Sequence, residues 1–157
     1  MLSKLPHLYF IIPVFNESAN VPRLLENLAV LTQELQSEFA CKIYFIDDGS
    51  TDHTAAGILG HRDQLPVEVL QHKTNQGPGA AFATGFRHIF PQLTLLDWVV
   101  TLEGDNTSRL QTLYQMLLRR LEGFEVVLAS PYAYGGGITQ TSLMRIADMT
   151  RTNTPAA

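Results

Sequence analysis

The chain of 157 residues has a single cysteine, Cys41, so no intrachain disulfide can form, and its five histidines lack the close pairing with Cys or carboxylate that zinc sites show. Basic residues are also in short supply: 11 Lys and Arg stand against 15 Asp and Glu, a net charge of −4, with no basic stripe to neutralise a phosphate backbone, which argues against nucleic acid as a partner. Long apolar runs are missing too. A membrane-spanning helix needs roughly 20 consecutive apolar residues, and the best run, Leu93 to Leu102, is interrupted by Asp97 and Thr101. Near the N-terminus the run Tyr9 to Val14 is too short, and too soon broken by Pro13, for a secretion signal. These absences predict a reducing, cytoplasmic setting with no span. Peripheral contact with the inner face of a membrane stays open, because polar interruptions exclude a buried span and not a surface patch.

What is present suits one ordinary domain, since 45% of the residues are hydrophobic. Short β-rich runs recur at Tyr9 to Val14, Lys42 to Asp47, Val67 to Leu70, Trp98 to Leu102 and Val126 to Ala129, separated by segments with helical patterning. The clearest helix carries Val21, Leu24, Leu25, Leu28, Leu31 and Leu35 at three- and four-residue steps. Thr54 to Leu59, Gly79 to Phe90 and Leu110 to Leu121 predict three more, the last with Leu110, Leu113, Leu117 and Leu121 on one stripe. The alternation predicts an α/β fold, a mostly parallel sheet flanked by helices, over residues 1–149. Thr150 to Ala157 is small and polar and reads as a disordered tail or the mark of a truncation.

In such sheets ligands gather beyond the carboxyl ends of the strands, and three polar clusters follow apolar runs directly. Asp47-Asp48-Gly49-Ser50 offers a carboxylate for a nucleobase N–H or ribose hydroxyls, or is a tight turn whose Ser50, Thr51 or Asp52 caps the next helix. Glu103-Gly104-Asp105 sets two acids about a glycine that lets a backbone approach something bulky such as a diphosphate. Two nearby carboxylates repel unless a cation lies between them, and Mg2+ or Mn2+ commonly takes one or two carboxylates with water and substrate phosphates. The plain alternative is a solvated turn with Asn106, Thr107 or Ser108 as helix cap. The third cluster is Phe15-Asn16-Glu17. Asn75 to Gly85 gives a small-residue surface for a backbone or a ribose, but its spacing is neither the dinucleotide fingerprint nor a P-loop, which argues against an oxidoreductase. Gly135 to Gly137 is either a loop over a ligand or a linker.

Taken in order, Ile12-Pro13-Val14-Phe15-Asn16-Glu17, Phe45 to Asp52, Asn75 to Gly85, Glu103-Gly104-Asp105 and Ser130-Pro131-Tyr132 resemble the family 2 glycosyltransferases of the GT-A fold. The likeness is to the branch that serves dolichyl and other polyprenyl phosphates. The resemblance implies a Rossmann-like GT-A sheet and a donor pocket built by Pro13, Phe15, Glu17, Asp47, Gly77, Gly79 and Glu103. It implies Asp105 as direct ligand of Mg2+ or Mn2+, with Glu103 and Thr107 completing the metal site, and Arg145 as the basic residue that meets a phosphate. Two positions depart from the pattern: Glu103 stands at the first acid of an Asp-X-Asp motif, and Pro131 stands where relatives often carry arginine.

The reaction so implied is an inverting displacement at the anomeric carbon of a nucleoside diphosphate sugar by a polyprenyl phosphate oxygen. A phosphate acceptor is ionised near pH 7 and needs little help from a general base. Only about fifty residues follow Asp105, so the reading carries two versions: a C-terminal part lost, or a reduced homologue that binds nucleotide without efficient transfer. The competing class is a noncatalytic nucleotide-sugar-binding or regulatory module.

Overall fold

A computed structural model of the protein describes residues 5–130. In chain order it runs β1 (His7–Val14), α1 (Val21–Leu35), β2 (Ala40–Asp47), α2 (Thr54–Leu59), β3 (Val67–Gln71), α3 (Pro78–Ile89), β4 (Trp98–Thr101) and α4 (Leu110–Arg119), with short 3-10 turns after α3 and α4. The four strands form one parallel sheet in the order β3-β2-β1-β4. Register is fixed by His7 opposite Ala40 and Val14 opposite Asp47, by Leu8 opposite Trp98, and by Asp47 opposite Gln71. The chain forms two compact units, divided between Gln111 and Thr112.

The topology dictates the layers. Crossovers between parallel strands are right-handed, so steps from β1 to β2 to β3 in one direction put α1 and α2 on one face, and the return past β1 to β4 puts α3 on the other. The core agrees. Tyr9, Ile11, Tyr44 and Ile46 form a cluster with Ala81 and Ile89 of α3, and at Gly85 an added Cβ would lie 2.5 Å from Ile11 Cγ2, so this helix lies close on β1. The alternate residues Leu8, Phe10, Ile12, Ile43 and Phe45 are fully buried on the opposite face, as is the leucine stripe of α1. At roughly 1.5–3 kcal/mol for each buried side chain of this size, that stripe is what holds α1 in place. Both faces of β1 are therefore apolar, which is why its sequence is a continuous run and not an alternation.

Two expectations are corrected. Val126 to Ala129 is not a strand, because a strand exists only where its backbone groups find a ladder; among the described residues none pairs with it, and Val126 and Leu128 are 74% and 84% exposed. The helix from Leu110 ends at Arg119, and the tighter 3-10 turn Arg120–Glu122 follows, closed by Gly123 with φ +88°. Its three residues per turn carry Leu121 off the stripe, so Leu113 and Leu117 are buried while Leu121 is exposed. Among the described residues no helix is long and apolar enough to cross a membrane.

Candidate active site

Strand order reverses between β1 and β4, so the crevice that open α/β sheets use for ligands lies beyond the carboxyl ends of those two strands. Four loops reach the carboxyl end of the sheet: residues 15–20 after β1, 48–53 after β2, 72–77 after β3 and 102–109 after β4. The polar clusters singled out in the sequence are the first, second and fourth of those loops.

The acid loop is drawn hard against β1. Leu102 N–H donates to Ile11 O at 3.1 Å, extending the pairing by one residue. Gly104 is buried, and a Cβ there would sit 2.6 Å from Val14 Cγ1 and 2.8 Å from Pro13 O. The close approach that this glycine permits is to β1 and not to a bulky ligand. Glu103 and Asp105 remain exposed. Thr107 N–H donates to Asp105 Oδ1 at 3.0 Å, and the Thr107 hydroxyl lies 2.7 Å from that oxygen and 3.1 Å from Glu103 Oε2. One hydroxyl thus spans both acids, and Thr107 turns toward them.

Asn106, in the left-handed region at φ 61°, donates Nδ2–H to Asn20 O at 2.9 Å. Its Oδ1 is buried with no hydrogen-bond partner. A hard cation takes oxygen ligands, and carboxylate and hydroxyl oxygens such as those of Glu103, Asp105 and Thr107 are of the kind it accepts. No cluster of three or more His, Cys, Asp or Glu side chains that could hold a metal ion exists among the described residues, so a cation at Glu103 and Asp105 would need further oxygen ligands from outside these two carboxylates.

Asp47 and Asp48 are 1% and 3% exposed, and both are fully engaged. Asp47 Oδ1 accepts from Ser50 N–H at 2.9 Å and Oδ2 from Gln71 Nε2 at 3.0 Å. Asp48 Oδ1 accepts from Gln76 N–H at 2.9 Å and Oδ2 from Gly77 N–H at 2.7 Å, while His72 Nδ1 lies 2.6 Å from Oδ1. Burial alone would raise the Asp48 pKa; the Gln76 amide, the His72 ring and the Gly77 amide outweigh it and hold the carboxyl below its ordinary range. The β2 turn is built for that partner: Gly49 has φ +78°, and its α-carbon faces the Thr74–Asn75 backbone so closely that a Cβ would meet Thr74 C at 2.6 Å.

Loops after β1 and β2 are laced together. Asn16, at φ 55°, receives Thr51 N–H on Oδ1 at 2.8 Å and gives its own N–H to Ser50 Oγ at 2.9 Å. Glu17 N–H donates to Thr54 Oγ1 at 2.8 Å and Ser18 N–H to Asp52 Oδ2 at 3.1 Å. Asp52 also takes Thr54 N–H at 3.0 Å in a turn two residues long, while the N-cap position of α2 falls to His53, which makes no side-chain cap bond, so none of Ser50, Thr51 and Asp52 is the N-cap residue. Hydrogen bonds to Asp52 from the Thr54 hydroxyl, from Ser18 and from the Thr54 amide lower its pKa against a smaller opposing effect of desolvation.

Of the other sequence-predicted residues, Pro13 is half-buried at the end of β1, Phe15 is exposed, and Glu17 Oε2 accepts from Asn20 Nδ2 at 2.6 Å. Gly77, at φ +88°, and Gly79 have nothing within 4 Å of a notional Cβ, so the outer side of that loop is open. Pro131, Gly135 to Gly137, Arg145 and the segment Thr150 to Ala157 lie outside the described residues. Sequence reasoning missed His72, Thr84 and Gln71. The register holds the signal that finds two of them, because Asp47 opposite Gln71 puts Asp48 level with His72.

A parallel sheet with a switch-point crevice rimmed by acids is an open α/β architecture of the class that takes ligands at its strand ends. Residues 9–156 match the profile described as Glycosyl transferase family 2, and the chain belongs to that family. It is 27% identical over 108 residues to dolichyl-phosphate beta-glucosyltransferase ALG5A of Trichomonas vaginalis, covering 66% of this chain and 32% of the relative. It is 31% identical over 119 residues to undecaprenyl-phosphate 4-deoxy-4-formamido-L-arabinose transferase of Pseudomonas aeruginosa, covering 74% and 33%. The chain therefore spans about a third of the length of these relatives. Among solved structures, TarS of S. aureus in complex with UDP-GlcNAc superposes with TM-score 0.57 at 23% identity, covering 74% of this chain and 31% of that one. Mannosyltransferase PcManGT from Pyrobaculum calidifontis, in complex with GDP-Man and Mn2+, gives 0.58 at 18% identity, covering 85% and 38%. At these identities the structural likeness establishes the GT-A fold.

Proposed function

We propose that the chain carries the donor site of a metal-dependent, inverting glycosyltransferase that moves a sugar from a nucleoside diphosphate to a polyprenyl phosphate. The observation that carries this reading is the switch-point crevice in which one Thr107 hydroxyl spans Glu103 and Asp105. Asp105, Glu103 and Thr107 would hold Mg2+ or Mn2+, with Asp105 the direct ligand; when bound, the ion neutralises charge growing on the leaving diphosphate. Pro13, Phe15 and Glu17 line the base, and the open faces of Gly77 and Gly79 take the ribose or diphosphate side. Asp47 meets base or ribose once the exposed Gln71 side chain is displaced from its Oδ2. Arg145 is assigned to a phosphate. The acceptor phosphate oxygen attacks the anomeric carbon as the bond to the diphosphate breaks, the leaving group keeps the electron pair, and configuration inverts. Acceptor class is supported by relatives named for dolichyl and undecaprenyl phosphate. Such an acceptor brings peripheral contact with a membrane surface.

The test is calorimetric titration of UDP, GDP, UDP-glucose and GDP-mannose, with Mn2+ and with EDTA, into the chain and into Asp105→Ala. The expected result is binding that needs Mn2+ and weakens at least about tenfold in the variant, the size of one lost charge-assisted contact. Equal affinity in EDTA, or an unaffected variant, refutes the metal assignment. Binding without transfer to a polyprenyl phosphate leaves a donor-binding module.

A further inference from the structure

We infer that His72 is a positioning residue for the donor loop: it fixes the Asp48 carboxylate, and Asp48 in turn fixes the backbone of Gln76 and Gly77. The inference deepens the donor reading above and rests on it for the ligand, but not for the positioning itself.

His72 stands one residue beyond β3, level with Asp48 on the neighbouring strand. Its Nδ1 lies 2.6 Å from Asp48 Oδ1 and its Nε2 lies 2.9 Å from Thr84 Oγ1 on α3. The two side chains of the pair are only 9% and 5% exposed. An ionised carboxylate can only accept, so Nδ1 carries the proton, while Nε2 is satisfied by a hydroxyl that donates or accepts. Ring orientation is thereby fixed from both sides.

The consequence falls on the loop. Asp48 spends its remaining capacity on the amides of Gln76 and Gly77, and Gly77 adopts φ +88° immediately before α3 begins. The inner side of the loop is pinned by one buried carboxylate, and Gly77 at its end and Gly79 in the first turn of α3 have open space where a Cβ would lie. Of the loop's own side chains, Asn75 shares the Gly77 N–H through its Oδ1 at 3.0 Å, the longer of the two contacts, and the Gln76 amide is held by Asp48. A ligand that packs on it therefore depends on the anchor behind it, and the anchor depends on the ring that orients the carboxylate.

Three substitutions separate this role from simple packing. His72→Asn puts a carboxamide N–H where Nδ1 stands and keeps the Asp48 contact; His72→Gln reaches toward Thr84 and loses it; His72→Ala loses both. Amide hydrogen exchange at Gln76 and Gly77 in the unliganded chain is the first readout, and affinity for UDP and GDP with Mn2+ the second. His72→Asn is expected to stay within about threefold of the wild type in both, and His72→Gln and His72→Ala to lose at least about tenfold, as for one charge-assisted hydrogen bond. Equal behaviour of His72→Asn and His72→Gln, or protection of both amides in His72→Ala, overturns the assignment. A wild type that binds neither nucleotide defeats the donor reading, while exchange at the two amides still decides the positioning. In the wild type, long-range 15N correlation of the His72 ring is expected to report a proton on Nδ1, and a bare Nδ1 overturns the proposal whether or not any variant folds.

Discussion

Replacing Gly104 by alanine inserts one methyl group into the tightest seam of the candidate site. Its Cβ would lie 2.6 Å from Val14 Cγ1 and 2.8 Å from Pro13 O, against an ordinary carbon contact of about 3.5–4.0 Å, so roughly 1 Å must be found. Val14 is 2% exposed, and Pro13 O belongs to a strand paired on both sides. The acid loop is the part that gives way. Overpacking of this sort costs about 1–3 kcal/mol, which for a chain of this length lowers Tm by roughly 3–10 °C. The control is Gly79→Ala, where nothing lies within 4 Å and the residue is already helical; there alanine is expected to add about 0.4–1 kcal/mol of stability. Urea titration and calorimetry of both variants measure the difference. Two variants that unfold together, or a Gly104→Ala chain as stable as the wild type, would refute the argument that this glycine exists for the approach to β1.

Gly49→Ala combines a left-handed backbone at φ +78° with a Cβ 2.6 Å from Thr74 C; a loss of about 2–4 kcal/mol is expected in the same titration. Asp48 supplies a pH test. Its folded pKa is held below the ordinary 3.8, so its contribution is complete above that value and is lost as pH falls through it toward the folded pKa. The stability gap between wild type and Asp48→Asn should be constant from pH 7 to about 5 and shrink below about 4. Burial pushes the Cys41 thiol up to about 11, leaving roughly a thousandth as thiolate at pH 8. Alkylation of the native chain should be about a hundredfold slower than that of free cysteine, and a rate like that of the free amino acid would contradict the burial.

The sequence made α1 and the first four strands legible because each advertises its environment: Val21 to Leu35 repeats every three or four residues, and Phe10-Ile11-Ile12 has no polar face to show. The strand order was not legible, because a run of apolar residues says that a strand is buried and not which neighbours bury it. Val126 to Ala129 has the composition of the other strands and fails only for want of a ladder partner. In the candidate site the acids were visible as residue types, but their division of labour was not. The role of Asp48 is set by groups 24 to 29 residues away, and that of Gly104 by a carbonyl on another strand. Thr107 was read as a ligand from resemblance; its position across both acids is a fact of folding that spacing alone does not contain.

The lacing of Asn16, Glu17 and Ser18 to Ser50, Thr51, Asp52 and Thr54 has a consequence for anyone who would recombine this chain with its relatives. Each segment supplies the donors or acceptors that the other lacks, so the two behave as one inheritable piece. A chimera that exchanges residues 50–54 alone puts at risk the Ser50, Asp52 and Thr54 oxygens that accept from the Asn16, Ser18 and Glu17 amides, and one that exchanges residues 15–18 alone puts at risk the Asn16 carboxamide oxygen that receives the Thr51 amide. Crossing over both segments together preserves every bond, and a library built on that rule should yield folded variants at a higher rate than one cut between them.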